Sequence, residues 1–254
     1  MNFFFKSNKI VLDCFTDNLH VYETARINHG TKFFPEWWKN LPANHDTWGM
    51  PESQNMKACA GFRDLFLKSL ILPVWSETEI EVKPDCSYSW KSANEMKITS
   101  HRDFQYEGLF SGQNLSQIKI ISPWLLKSKE NLQMMILEPF WNNERLNDFR
   151  VIPGIIDTKY IPQCNVNGFV QPLSNESKFI HFEPLTPLAY FVPLTEKRIE
   201  LKFHLIEQNR LNQKFKYFHY FRDFNHLRKR IKASEKVEQL NKPESKCPFG
   251  FKKS

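Results

Sequence analysis

With 254 residues, 41% hydrophobic and including 23 Phe and 7 Trp, the chain has apolar volume for one large β domain with an appendage or two small domains. That apolar content argues against disorder over most of the length, and no apolar run reaches the length of a bilayer-crossing helix. The net charge of +7 is unevenly placed, because the segment from Gln208 to Ser254 holds 13 Lys/Arg against Asp223, Glu235, Glu238 and Glu244, a net +9, and leaves the rest slightly acidic.

Residues 9–15, Lys-Ile-Val-Leu-Asp-Cys-Phe, predict an early strand. In Pro35-Glu36-Trp37-Trp38-Lys39-Asn40-Leu41-Pro42 one Pro stands at a helix start and another at its stop, which predicts one short amphipathic helix. Its adjacent Trp side chains are costly to leave in water, so they are expected to dock this turn onto the body. Phe62, Leu65, Phe66 and Leu70 recur at helical spacing and predict a second helix over residues 61–70.

From about Leu72 onward the runs are short and rich in β-branched or aromatic residues, with turn residues between them. Strands are predicted at residues 80–82, 87–90, 96–99, 117–121, 133–137, 149–152, 178–182, 188–192 and 198–205. No helix-length segment alternates with them, which argues against a parallel α/β sheet. The fold class is therefore mainly β, a sandwich or barrel of short strands preceded by short N-terminal helices. Past Leu205, Tyr217, Phe221, Phe224, Leu227 and Ile231 recur at three- and four-residue steps, and Leu211, Phe215 and Phe218 extend that apolar face. Two units are expected: residues 1–205, β-rich with the short helices, and residues 206–254, a basic amphipathic helix with an irregular tail.

Cys14, Cys59, Cys86, Cys164 and Cys247 form no CxxC pair, so neither a zinc ribbon nor a redox dithiol is indicated, and reduced, mostly buried thiols are expected. Met1-Asn2-Phe3-Phe4-Phe5-Lys6 lacks the charge-first order and small-residue cleavage site of a secretory signal, so a cytosolic location, or assembly in a cytosol, is expected.

Two resemblances arise on particular residues. Pro35-Glu36-Trp37-Trp38-Lys39, then residues 57–64 (Lys-Ala-Cys-Ala-Gly-Phe-Arg-Asp) and Leu72-Pro73-Val74-Trp75-Ser76 resemble an uncharacterised family common in T-even-like marine cyanophages, with bacterial relatives. The likeness continues through Ser122-Pro123-Trp124, Pro153-Gly154-Ile155-Ile156-Asp157 and Pro187-Leu188-Ala189 to Pro193-Leu194-Thr195-Glu196-Lys197. It implies a phage-type origin and brings no established activity. Locally, Gly154-Ile155-Ile156-Asp157-Thr158-Lys159-Tyr160 is similar to the third motif of dUTPases and dCTP deaminases, whose fold is a β-clip. That resemblance implies a β-clip-like barrel, a water-orienting role for Asp157 and a deoxyribose-packing role for Tyr160. The chain departs from the motif set in having Ser122-Pro123-Trp124 where an Arg-Ser phosphate turn is expected and Tyr190 where Gln is usual.

Three constellations are candidates for chemistry. Asp157 is either a water-orienting base or an Asp that bonds its own backbone in a turn between strands. His101-Arg102-Asp103, with His181 or His204 as a third ligand, has the spacing of a facial iron triad, and Arg198 or Lys202 would then meet an acidic co-substrate. Arg222, Arg228, Lys229 and Arg230 on the basic helix would contact phosphates of nucleic acid or an acidic protein partner. There is no nucleophile elbow, Walker loop or dinucleotide loop. The expectation is a phage-type accessory or virion-associated protein acting through binding surfaces. Its partners would be phage or host proteins, or nucleic acid through the C-terminal helix, with no membrane and a homo-oligomeric state. No cofactor is assigned, and Fe(II) or Mg would enter only with an iron oxygenase or a dUTPase-like hydrolase.

Overall fold

The computed structural model describes residues 9–42, 55–101, 103–106, 114–142, 148–215, 229, 231–233 and 236. The first strands are β1 (Lys9–Thr16), β2 (Asn28–His29), β3 (Leu70–Pro73), β4 (Thr78–Val82) and β5 (Tyr88–Ser92). Then come β6 (Ile98–Thr99), β7 (Ser116–Ile120), β8 (Leu125–Ser128), β9 (Gln133–Leu137) and β10 (Arg150–Val151). Strands β11 (Gly154–Asp157), β12 (Val166–Val170), β13 (Lys178–Phe182), β14 (Pro187–Pro193) and β15 (Arg198–Leu205) complete the set. Among the described residues the α-helices with defined bounds are α1 (Leu19–Thr24), α2 (Glu36–Lys39), α3 (Ala60–Lys68) and α4 (Gln208–Lys214).

The strands order as β15-β1-β8, β10-β12-β7-β6, β11-β9-β14-β3-β2 and β13-β4-β5. All pairs are antiparallel except β1 with β15, which run parallel from Lys9↔Arg198 to Thr16↔Leu205. No sheet closes on itself among the described residues, so the protein is mainly β with layered open sheets rather than the β-clip-like barrel. One apolar core joins all four sheets, with Leu12 and Leu126, Ile118 and Val166, Leu72 and Phe191, and Ile80 and Ile180 drawn from each in turn. Trp124 is wholly buried in it, where its Nε1–H donates to the Ala25 carbonyl at 3.3 Å and its ring meets the Phe203 ring at 5.4 Å.

The five-stranded sheet is covered on both faces. Leu70, Leu72 and Phe191 face the shared core, while Ile71 and Tyr190 pack against Phe62 and Phe66 of α3. Burial on both faces is why Leu70-Ile71-Leu72 is uniformly apolar instead of alternating. It also corrects the predicted helix over residues 61–70. Ser69 turns the chain extended (φ −74, ψ 152) and accepts the Gly30 N–H at 2.8 Å, and Leu70 then joins β3.

Other differences have local causes. Helix α1 starts at Asn18, whose side chain accepts the Val21 N–H at 3.1 Å, but Val21 alone of its residues is buried, so its apolar signal is weak. Strands β8, β11 and β12 were not expected; β11 starts at Gly154 and Gly168 interrupts the side-chain pattern of β12. Cys14 and Cys164 are buried as expected, whereas Cys59 is exposed and Cys86 half-buried at positive φ in the β4–β5 turn. Cys247 lies outside the described residues. Burial pushes the Cys164 thiol up to about 12 and raises Cys14 well above its ordinary value. Among the described residues no helix is long and apolar enough to cross a membrane.

Candidate functional site

Asp157 ends β11 opposite Gln133 of β9 and is only 4% exposed. Its Oδ1 accepts the Lys159 N–H at 3.2 Å, and Oδ2 lies 3.5 Å from Gln133 Nε2. Its carbonyl accepts the N–H groups of Tyr160 and Ile161 at 3.0 and 2.7 Å. The carboxylate thus bonds the backbone of the turn that reverses the chain after β11. Tyr160 is half-buried, with Lys159 Nζ 5.6 Å from its ring centre. Ser122 Oγ accepts the Trp124 N–H at 3.1 Å, and the Tyr190 hydroxyl donates to Asn142 Oδ1.

The three candidate histidines lie on different elements. His101 follows β6; its N–H donates to Gln117 Oε1 at 2.6 Å, and its Nδ1 lies 3.0 Å from Gln105 Oε1. His181 is on β13, with Nε2 3.6 Å from Glu77 Oε1, and borders a cleft of about 340 Å³ beside Asp148, Glu183 and Thr186. In that cleft Asp148 is paired with Lys178 at 3.1 Å, and the Thr186 hydroxyl donates to the Glu183 carbonyl at 2.6 Å. His204 is on β15, with Nε2 2.7 Å from Asp13 Oδ1. The backbone of Asp103 lies in a short 3-10 turn, and its side chain is outside the described residues. Among the described residues no three His, Cys, Asp or Glu side chains are grouped to hold a metal ion. Of the basic contact residues, Lys229 is helical and exposed, while Arg222, Arg228 and Arg230 fall outside the described residues.

The densest gathering of chemistry-bearing side chains is an aromatic platform on the outer side of the five-stranded sheet. Phe62 is its hub, with ring centres 5.6 Å from Trp37, 5.7 Å from Trp38, 5.2 Å from Trp141 and 5.0 Å from Phe66. Phe34 stacks between Trp38 at 4.4 Å and Phe66 at 4.8 Å. Both indoles are tied down: Trp37 Nε1–H donates to the Trp141 carbonyl at 3.1 Å and Trp38 Nε1–H to the Met56 carbonyl at 3.3 Å. The expected docking of the tryptophan pair therefore holds, yet Trp37 remains 42% exposed and Phe140, 5.1 Å from Trp141, 49% exposed. A shallow pocket of about 590 Å³ beside Trp37 is lined by Leu41, Asn55, Met56, Ala58 and Cys59. Sequence reading singled out α2 but not Phe34, Phe140 or Trp141. The available signal was the pairing of aromatic neighbours, Phe33-Phe34 and Phe140-Trp141, each next to a Pro.

Comparison of the chain with protein-family models, with curated proteins and with solved structures finds no match.

Proposed function

We propose that this protein is a non-catalytic accessory protein of phage type, cytosolic in the host or carried on the virion, that docks a partner protein on the aromatic platform. One observation carries this reading. Two motifs of the phage-family resemblance, residues 35–39 and 57–64, meet at Phe62, and Trp37 from the first of them and Phe140, brought alongside by Trp141, stay about half in water. Contiguous exposed apolar surface marks interaction sites more often than isolated apolar residues do. Rings already held by stacking and by indole hydrogen bonds lose little conformational freedom when a partner covers them.

The test is affinity purification of the tagged full chain from phage-infected host cells, beside a Trp37→Ser/Phe140→Ser double variant with an unchanged circular dichroism spectrum. A stoichiometric partner held by wild type and reduced at least about tenfold by the variant supports the reading, since loss of central aromatic anchors costs about 2 kcal/mol or more. Equal recovery with both proteins, or no stoichiometric partner with wild type, refutes it. Light scattering of the purified chain identifies the case in which the partner is a second copy.

A further inference from the structure

We propose that the outer face of the β15-β1-β8 sheet, together with α4, binds the phosphodiester backbone of nucleic acid without reading its sequence. Ile10, Leu12, Cys14, Leu126 and Ile199 turn into the core, so strand alternation sends the intervening side chains outward. The register then aligns charges across the face: Lys9 stands opposite Arg198, and Asp13 lies between Lys202 on one neighbour and Lys127 on the other. Asp13, Glu200 and Glu207 each have a partner on this surface. Glu200 holds Lys9 and lies 3.9 Å from Lys202, Asp13 holds His204 at 2.7 Å, and Glu207 lies 4.0 Å from Arg210. Lys127 is exposed and makes no ion pair among the described residues.

Helix α4 adds to the same side. Leu211 and Phe215 pack on Phe15, which brings Lys214 Nζ to 4.5 Å from the Phe15 ring and sets Arg210 beside an open hollow of about 660 Å³. His204 stacks on Phe15 at 4.5 Å and is thereby fixed in that hollow. The cations Lys9, Lys127, Arg198, Lys202, Arg210 and Lys214 outnumber the carboxylates Asp13, Glu200 and Glu207, and α4 opens the segment that carries +9. Lys127 and Lys202 project from strands two places apart, about 10 Å across the face. Such a spread of positive charge suits a polymer with one charge per about 1.7 Å of axis. Binding a membrane surface would call for several projecting apolar side chains, whereas Val11 and Leu125 are half-buried, Phe15 is buried under α4, and of the apolar residues on these strands Leu205 alone, at the end of β15, is exposed.

The experiment is fluorescence anisotropy of the full chain with a labelled DNA duplex of about 20 bp over a salt series, for wild type and Lys127→Gln/Lys202→Gln/Lys214→Gln. A second variant, Arg228→Gln/Lys229→Gln/Arg230→Gln, separates the sheet face from the tail. Wild type is expected to bind with log affinity linear in log salt. The sheet variant should lose at least about tenfold in affinity and about two to three units of slope, at roughly 0.9 per phosphate contact. The proposal is overturned by any of three results: no salt-dependent binding by wild type, a sheet variant with wild-type affinity and slope, or polyglutamate or phosphatidylserine vesicles competing as well as unlabelled duplex. A tail variant that abolishes binding while the sheet variant keeps it also overturns the proposal.

Discussion

Replacing Phe62 tests whether the platform is a packed layer of the fold or a loose cover. Phe62 is buried, and its ring meets five others: Phe34, Trp37, Trp38, Phe66 and Trp141. Phe62→Ala removes the buried ring and leaves a cavity between α3 and the sheet, a change that costs about 3–5 kcal/mol. Phe62→Leu keeps most of the apolar volume and loses the ring-to-ring geometry. A swap near constant volume costs less than about 1.5 kcal/mol, and each lost aromatic pairing adds about 0.5–1.5 kcal/mol, not additively. The leucine variant should therefore fall between wild type and alanine, at about 2–3 kcal/mol. Urea unfolding followed by circular dichroism and by tryptophan fluorescence gives both numbers, with an unchanged slope against denaturant required for comparison. A cost below about 1 kcal/mol for Phe62→Ala would mean that the layer contributes little to folding, and the reasoning would fail.

Gly30 should not tolerate a side chain: an added Cβ would sit 2.4 Å from Ser69 Oγ and 2.5 Å from the Phe66 carbonyl oxygen. Gly30→Ala is expected to cost about 1–3 kcal/mol in the same assay, and Ser69→Ala should not rescue it because the backbone clash remains. Iodoacetamide should label Cys59 in the native protein and reach Cys14 and Cys164 only after denaturation, as read by peptide mass spectrometry. The buried Cys164 thiol also fixes a sign. Its proton is lost near the ordinary value of 9.0 in the unfolded chain and only near about 12 in the folded one, so its contribution to stability is complete below pH 9 and declines as pH rises through that window. Cys164→Ala should flatten the alkaline part of the stability curve, and an unchanged curve would remove Cys164 as its cause.

Strands that alternate or carry β-branched runs were legible from the chain alone, and β4, β9, β13, β14 and β15 fall where the pattern puts them. Strands β8 and β12 were not, because the first is four residues long and the second has Asn167 and Gly168 at its centre. The aromatic residues of α2 were visible, but their meeting with Trp141 was not, since Trp37 and Trp141 are 104 positions apart and share no local pattern. Asp157 was legible as a turn aspartate, and only the structure shows that its carboxylate is turned back on Lys159 N–H. The outward charge alignment on β1, β8 and β15 depends on register, which tertiary pairing sets and no single segment reveals.

The most direct measurement is photo-crosslinking in infected host cells, with benzoylphenylalanine placed singly at Trp37, at Phe140 and at Leu173, an exposed residue beyond β12. Docking on the platform requires one dominant adduct of the same mass from positions 37 and 140 and none from 173. No adduct from 37 and 140, or an equal one from 173, would contradict partner binding at this surface.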